Sequence, residues 1–336
     1  MKRIAVIGCG AIADSFHIPG IKALGEGEYE IVLIDPDVGR RSALGKKHGI
    51  AEHAGSHEEV VGRVDAAVIA SPHHTHVPIA RDLVEAGIAV LSEKPLGTTV
   101  SEVEGLRDLA EAKGVTVAVN QTRRFIPACR EIRERLRSGS LGGTVRVDAN
   151  EGDRFDWPSA TPAMFGSRSG GKGLLLDIGA HALDLMVWWF GSDLEIEDYL
   201  DDSLGGSEAS VLVVLRGHDC RIEVRLSWLA KQRNVYRFTG DAGALTWNVY
   251  DLDEIKLGVG GAGQGRSVRL HSTARSFADL APAVLRDFLT AAEHGTAPMA
   301  SASDVLPSMR LMETCYAQRR TFDMPWHAFQ MGNSHA

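Results

Sequence analysis

Through the first 120 residues, short apolar runs alternate with segments of helical periodicity. The runs Ile4 to Gly8, Ile31 to Ile34, Ala66 to Ala70, Ala89 to Ser92 and Thr116 to Val119 are almost uninterrupted in apolar character, as expected of strands buried on both faces. Helical segments separate them, so the pattern predicts a parallel sheet with right-handed crossovers, half of a Rossmann-type fold. In the first helical segment, Phe16-His17-Ile18-Pro19-Gly20 places a proline where it is expected to break the helix after about two turns. From Gly143 onward the pattern changes. A helix is predicted over Leu174 to Phe190, then consecutive strands over Glu208 to Leu215, Arg221 to Trp228 and Val235 to Phe238, and finally helices over Phe277 to His294 and Asp304 to Arg319. Strands in succession after a βα half predict an α+β domain with an open, mainly antiparallel sheet, and an α/β fold class overall.

Composition narrows the classes of partner. The 336 residues are 44% hydrophobic and 24% charged, enough for two domains with cores of their own. A net charge of -8 argues against nucleic acid or an anionic membrane surface as a partner. No apolar run approaches the ~20 residues that span a bilayer, and the opening apolar stretch reads as a short strand rather than a cleavable leader, so a cytoplasmic protein is expected. Cys9, Cys129, Cys220 and Cys315 show neither metal spacing nor a paired framework and read as structural thiols of a reducing compartment. Arg221 to Trp228 alternates apolar and charged, whereas Val211 to Leu215 is apolar on both faces. Part of the outer sheet face is therefore expected to be covered, by a second subunit (a homo-oligomer, dimer or tetramer) in preference to a loop of the same chain.

The chemistry begins at the first strand, which runs into Gly8-Cys9-Gly10-Ala11-Ile12-Ala13. Gly8 permits a tight turn, Gly10 lets the backbone approach a pyrophosphate, and Ala11 to Ala13 open a helix whose N-terminus attracts negative charge, together a dinucleotide-binding turn. Asp35 ends the second strand where a carboxylate accepts hydrogen bonds from the adenosine ribose and repels a 2'-phosphate, so NAD(H) is expected in preference to NADP(H), with Arg40 and Arg41 the residues able to rescue NADP. Residues 1–122 are thus read as the dinucleotide-binding domain and 123–336 as a substrate-binding and oligomerisation domain whose last helix packs back on the first. Ser71-Pro72-His73-His74-Thr75-His76 and Ser92-Glu93-Lys94-Pro95-Leu96-Gly97 both follow strand ends, where ligands bind in open α/β sheets. The three histidines resemble metal ligands, yet neighbours at a strand end point opposite ways and no cysteine or carboxylate lies at ligand spacing, so no metal is predicted. Asp177 and His181, four residues apart, share one face at the mouth of an apolar helix. Taken singly, Asp177 reads as a helix-start charge and His181 as a core histidine between Leu176 and Leu185.

Together, the glycine turn, Ser71-Pro72-x-x-x-His76, Glu93-Lys94-Pro95, Arg124-Phe125-x-Pro127 and Gly173-x-Leu175-x-Asp177-x-Gly179-x-His181 resemble the glucose-fructose oxidoreductase, inositol dehydrogenase and rhizopine-catabolism (Gfo/Idh/MocA) family. The resemblance implies a Rossmann domain joined to an open-sheet domain, NAD(P) between them, and a sugar, cyclitol or related polyol as substrate. It assigns Lys94, Asp177 and His181 as the catalytic group. Gly8, Gly10, Ala11, Ile12, Asp35, Ser71, Pro72, His73, His76 and Glu93 are the expected cofactor contacts; His73 stands where similar proteins often carry asparagine. The residue chemistry agrees: an imidazole exchanges an alcohol proton near neutrality, and an ammonium donates to a reacting oxygen. Asp177 is expected either to hold and polarise His181 or to bind an adjacent hydroxyl; which of Lys94 and His181 exchanges the proton stays open. Glu93 supports the cofactor ribose or the Lys94 loop. Arg124, Arg154 and Trp157, with Arg168 and Lys172, are placed at the substrate pocket's rim, although internal ion pairs with Glu151, Asp153 and Asp156 explain the basic residues equally well. The leading function is hydride exchange at a secondary hydroxyl or ketone. The alternatives are an NAD-assisted lyase or glycosidase without net redox change, and a non-catalytic cofactor-sensing regulator.

Overall fold

A computed structural model describes residues 2–25, 27–156, 172–203, 206–258 and 265–323. Its first sheet contains β1 (Lys2–Ile7), β2 (Tyr29–Ile34), β3 (His53–Ala54), β4 (Ala66–Ile69), β5 (Ala89–Ser92) and β6 (Val117–Val119), all parallel, in the order β3-β2-β1-β4-β5-β6. Alternate residues of β1 feed two separate cores: Ala5 and Ile7 join one, Ile4 and Val6 the other. That is why the strand is apolar at every position. The crossover helices are α1 (Ile18–Lys22), α2 (Val38–His48), α3 (His76–Glu85) and α4 (Val100–Lys113). Thr99 and Glu102 form a reciprocal cap at the start of α4, and Gly114 closes it in the left-handed conformation.

Pro19 does not break the first helix. Residues Ala13–His17 form a π-helical turn that leads directly into α1, and Pro19 falls within the first two residues of α1. The Ile18 N–H donates to Ala13 O, five residues back, and this wider turn accommodates a ring that would strike the carbonyl four residues earlier in a regular helix.

The second sheet has nine strands in the order β14-β13-β12-β11-β7-β10-β9-β8-β15: β7 (Val145–Gly152), β8 (Glu195–Asp201), β9 (Ser210–Arg216), β10 (Cys220–Ser227), β11 (Val235–Gly240), β12 (Ala244–Asn248), β13 (Glu254–Gly258), β14 (Arg266–Arg269) and β15 (Arg320–Thr321). Pairing is antiparallel except at β7·β10 and β8·β15. The helices of this part are α5 (Pro127–Arg137), α6 (Leu174–Phe190), α7 (Ala281–His294) and α8 (Ala302–Ala317). Helix α6 lies on the face carrying Val213, Leu215, Ile222 and Val224. On the opposite face Val214 is still only 4% exposed, flanked in register by Asp198 and Glu223. Helix α8 packs on both α6 and α4, and α7 packs on α1, where an added Cβ at Gly20 would lie 2.6 Å from Ala281 Cβ. The free edge of β6 is met by Ala300 and Ser301. Among the described residues no helix is long and apolar enough to cross a membrane.

Candidate active site

At the carboxyl end of β1 the backbone turns at Gly8, φ +100°, so close to β4 that an added Cβ would lie 2.5 Å from Ala70 O. Gly10 is different: its φ is ordinary and a Cβ there would meet nothing within 4 Å. Among the described residues no protein contact calls for glycine at position 10, and the open space beside the start of the following helix is what a phosphate would need. Asp35 follows β2; its Oδ2 accepts from Cys9 N (2.9 Å) and its Oδ1 from Asp37 N (2.9 Å). Each oxygen keeps a second lone pair for a ribose hydroxyl. Arg41 donates to Asp35 O (2.7 Å), so a guanidinium stands beside the same position. Burial, with Asp35 adding to it, pushes the Cys9 thiol up to about 12, which keeps it inert.

Two turns at the ends of β4 and β5 are tied together by His76, whose ring lies between carbonyl oxygens: Nδ1 is 2.8 Å from Pro95 O and Nε2 2.7 Å from Ser71 O. Burial holds this ring below the usual histidine range, although both carbonyls favour its protonation. His73 packs edge-on against His76, and burial, with His76 and Lys94 nearby, lowers it to about 3. Glu93 is buried, 2.7 Å from His17 Nε2 and accepting from Asn120 Nδ2 at 2.7 Å. Burial alone would raise its carboxyl; His17, Asn120 and Lys94 together hold it below the usual range. The π-helical turn is what delivers His17, its last residue, to this carboxylate.

Lys94 reaches across the two domains: its Nζ donates to Asp177 Oδ1 (2.5 Å) and to Asp177 O (3.2 Å) on α6. One turn later His181 Nδ1 lies 3.3 Å from Gln121 Oε1. Burial, with Lys94 and Arg123 adding positive charge, holds His181 well below the usual histidine range. An ammonium, a carboxylate and a neutral imidazole thus meet beyond the ends of the parallel strands, a grouping fit to donate to one oxygen and exchange a proton with it. The start of α6 is fixed by the buried Glu208, whose Oε1 accepts from Gly173 N (3.0 Å), Leu175 N (2.9 Å) and the Tyr316 hydroxyl (2.8 Å). A carboxylate at the positive end of the helix dipole pins the element that carries Asp177 and His181.

Comparison with known proteins fits this arrangement. Residues 2–121 match the oxidoreductase family with an NAD-binding Rossmann fold, and residues 129–246 match the GFO/IDH/MocA C-terminal domain. The chain belongs to the Gfo/Idh/MocA oxidoreductase family. The rhizopine catabolism protein MocA of Rhizobium meliloti is 31% identical over 191 residues, 57% of this chain and 58% of that protein. The myo-inositol dehydrogenase Hyg17 of Streptomyces leeuwenhoekii is 29% identical over 194 residues, 57% of this chain and 56% of that protein. Each of these matches spans little more than half of the relative. Among solved structures, KijD10, a 3-ketoreductase from Actinomadura kijaniata in complex with NADP and TDP-benzene, superimposes with a TM-score of 0.82 at 22% identity, covering 96% of this chain and 99% of that one, a likeness of fold.

Several expected roles in this Gfo/Idh/MocA chain are redistributed. Asp177 holds Lys94 and not its helical neighbour His181. Arg124, expected at the substrate rim, is 2% exposed; its Nε and Nη2 donate to Asp184 (2.9 and 2.7 Å) and its Nη1 to Met299 O (3.0 Å). Its guanidinium is fully engaged in packing α6 and the chain before α8, so a role in reading substrate is withdrawn. Arg154 is exposed, and Trp157 and Arg168 lie outside the described residues. Lys172 donates to Thr98 O (2.7 Å) and stands over the Tyr316 ring. The sequence reading missed His17, Asn120, Gln121, Glu208 and Arg123; Glu151, named there as an ion-pair carboxylate, pairs with the buried Arg123 and accepts from the Tyr236 hydroxyl (2.9 Å). Of these only His17 carried a local signal, falling just ahead of the proline within the turn's helix.

Proposed function

We propose that this chain oxidises a secondary hydroxyl of a sugar, cyclitol or related polyol, or reduces the corresponding ketone, using NAD(H) in preference to NADP(H). The observation that carries the reading is the meeting of Lys94, Asp177 and His181 beyond the ends of the strands that bear Gly8, Gly10 and Asp35. Bound there, NAD(P) would accept or supply the hydride. Gly8, Gly10 and the helix starting at Ala11 would receive its pyrophosphate, Asp35 its adenosine ribose, and Ser71, Pro72, His73 and Glu93 would line the nicotinamide side. Lys94 would donate to the reacting oxygen and favour its alkoxide character, with Asp177 fixing the ammonium in place, while His181 lies near to exchange the proton. The naming of Hyg17 as a myo-inositol dehydrogenase and of KijD10 as a 3-ketoreductase supports the substrate class and both directions of reaction.

Two measurements test the reading. Fluorescence titration of both cofactors is expected to give at least about tenfold tighter binding of NAD(H), roughly 1.4 kcal/mol, because a 2'-phosphate would meet the Asp35 carboxylate. Equal or reversed affinities would show that Arg41 decides the contact. A screen of sugars and cyclitols for NADH formation, with product analysis for cleavage, is expected to find an oxidised polyol whose turnover falls about a hundredfold or more in K94A with NAD affinity almost unchanged. Cleaved products would point to the lyase chemistry, and cofactor binding without any turnover to a regulator.

A further inference from the structure

Gln121 lies between two fixed groups. Its backbone N–H donates to Val119 O (2.7 Å) and its carbonyl accepts from Arg124 N (2.9 Å), so the residue is anchored where β6 passes into a short 3-10 turn, only 3% exposed. Its side-chain Nε2 lies 3.5 Å from Ala180 O, and its Oε1 lies 3.3 Å from His181 Nδ1. A carbonyl only accepts, so Ala180 selects the amide nitrogen, and the amide oxygen must then face the imidazole. An oxygen in that place accepts only from a protonated Nδ1. Among the described residues no hydrogen bond engages His181 Nε2. The charged groups around the ring come from several elements: Lys94 after β5, Asp177 one turn back on α6 and paired to Lys94, and Arg123 beside Gln121, backed by Glu151 and Tyr236. Burial and the two cations all disfavour a second proton on the ring.

We propose that Gln121 is a positioning residue that holds His181 in the Nδ1–H tautomer, leaving Nε2 as the atom that takes the proton from a substrate hydroxyl and returns it in the reverse direction. The inference rests on the hydroxyl-oxidation reading for its purpose, while its physical content concerns the ring alone. Lys94, tied to Asp177, is then the hydrogen-bond donor of the pair and not the group that cycles a proton. Among the described residues no side chain of α6 hydrogen-bonds the ring, and Asp177 Oδ1 is paired with Lys94.

The test is 15N-histidine NMR of the protein with NAD+ bound, followed by kinetics on the polyol found by the screen. Wild type is expected to show the Nδ1–H pattern at His181. Q121L is expected to lose it and to lower kcat about tenfold or more, with KM and NAD+ affinity within about threefold. Q121E keeps an acceptor in place, so it should retain the Nδ1–H pattern and more of kcat than Q121L, and move the acid limb of the kcat profile up by about one pH unit. A wild-type Nε2–H pattern, or a Q121L protein with unchanged tautomer and kcat, would overturn the assignment. If the Nδ1–H pattern is present and Q121L abolishes it, yet no polyol is oxidised, the positioning role stands on the spectrum and the catalytic reading fails by itself.

Discussion

Replacing Gly8 or Gly10 with alanine separates a structural constraint from a binding one two residues away. Alanine at position 8 would hold φ near +100° with its Cβ 2.5 Å from Ala70 O, so G8A is expected to lose about 2 kcal/mol or more of stability. Alanine at position 10 meets no protein atom within 4 Å, and G10A should stay within about 0.5 kcal/mol of wild type in urea while binding NAD(P) at least about tenfold more weakly. Equal cofactor affinity in G10A would remove the pyrophosphate from this turn. At this scale much of the site was legible: glycine spacing, a carboxylate after the second strand and two polar residues one helical turn apart are local signals. Partners were not. Asp177 meets a lysine 83 residues away, and Gln121 meets an imidazole 60 residues away, and no spacing rule connects residues brought together by two different elements. The Arg124 guanidinium reads as a surface group until Asp184, also 60 residues distant, is found beneath it.

Helix α6 is the element on which the chemistry depends, and two buried carboxylates secure it: Glu208 at its start and Asp184 within it. R124L would leave Asp184 buried without its counter-charge. A loss of about 3–5 kcal/mol is expected by urea denaturation, much of it recovered in R124L/D184L. If R124L keeps full stability and instead raises KM for substrate, the arginine belongs to the pocket after all. Helices α6, α7 and α8 and the central parallel strands were readable because their patterns are strong and their lengths distinct. Strands β7, β8, β12, β13 and β14 were passed over for the opposite reason. Val145-Arg146-Val147-Asp148-Ala149-Asn150 alternates faithfully, burying Val145, Val147 and Ala149, but half its residues are polar and it lacks the apolar density that marks the Rossmann strands. Pro19 misled because a single rule about helix breaking takes no account of a wider turn placed just ahead of the ring.

For the molecule as a whole, three imidazoles at the site are held neutral by burial: His73, His76 and His181. Their folded values lie below the unfolded value near 6.5, so the unfolded chain binds more protons as pH falls. The stability they contribute is complete above about pH 6.5 and is lost progressively below it, down to about 3 for His73. Each ring adds up to about 1.4 kcal/mol per pH unit to the slope. The urea midpoint is expected to fall between pH 6.5 and 5, before carboxylates such as Glu93 take up protons, and H73N should flatten that fall by about a third. A midpoint independent of pH in this window would mean that the folded rings bind protons just as the unfolded ones do. The division of the chain into two halves, plain in the sequence pattern, is less complete in space. Helix α7 shares a hydrophobic core with β1 and α1, and Ala300 and Ser301 close the outer edge of β6. During synthesis the first six strands emerge long before these segments exist, with one apolar face and one strand edge bare. The parallel sheet is therefore left with that face and that edge open until residues 281–301 have followed it out of the ribosome.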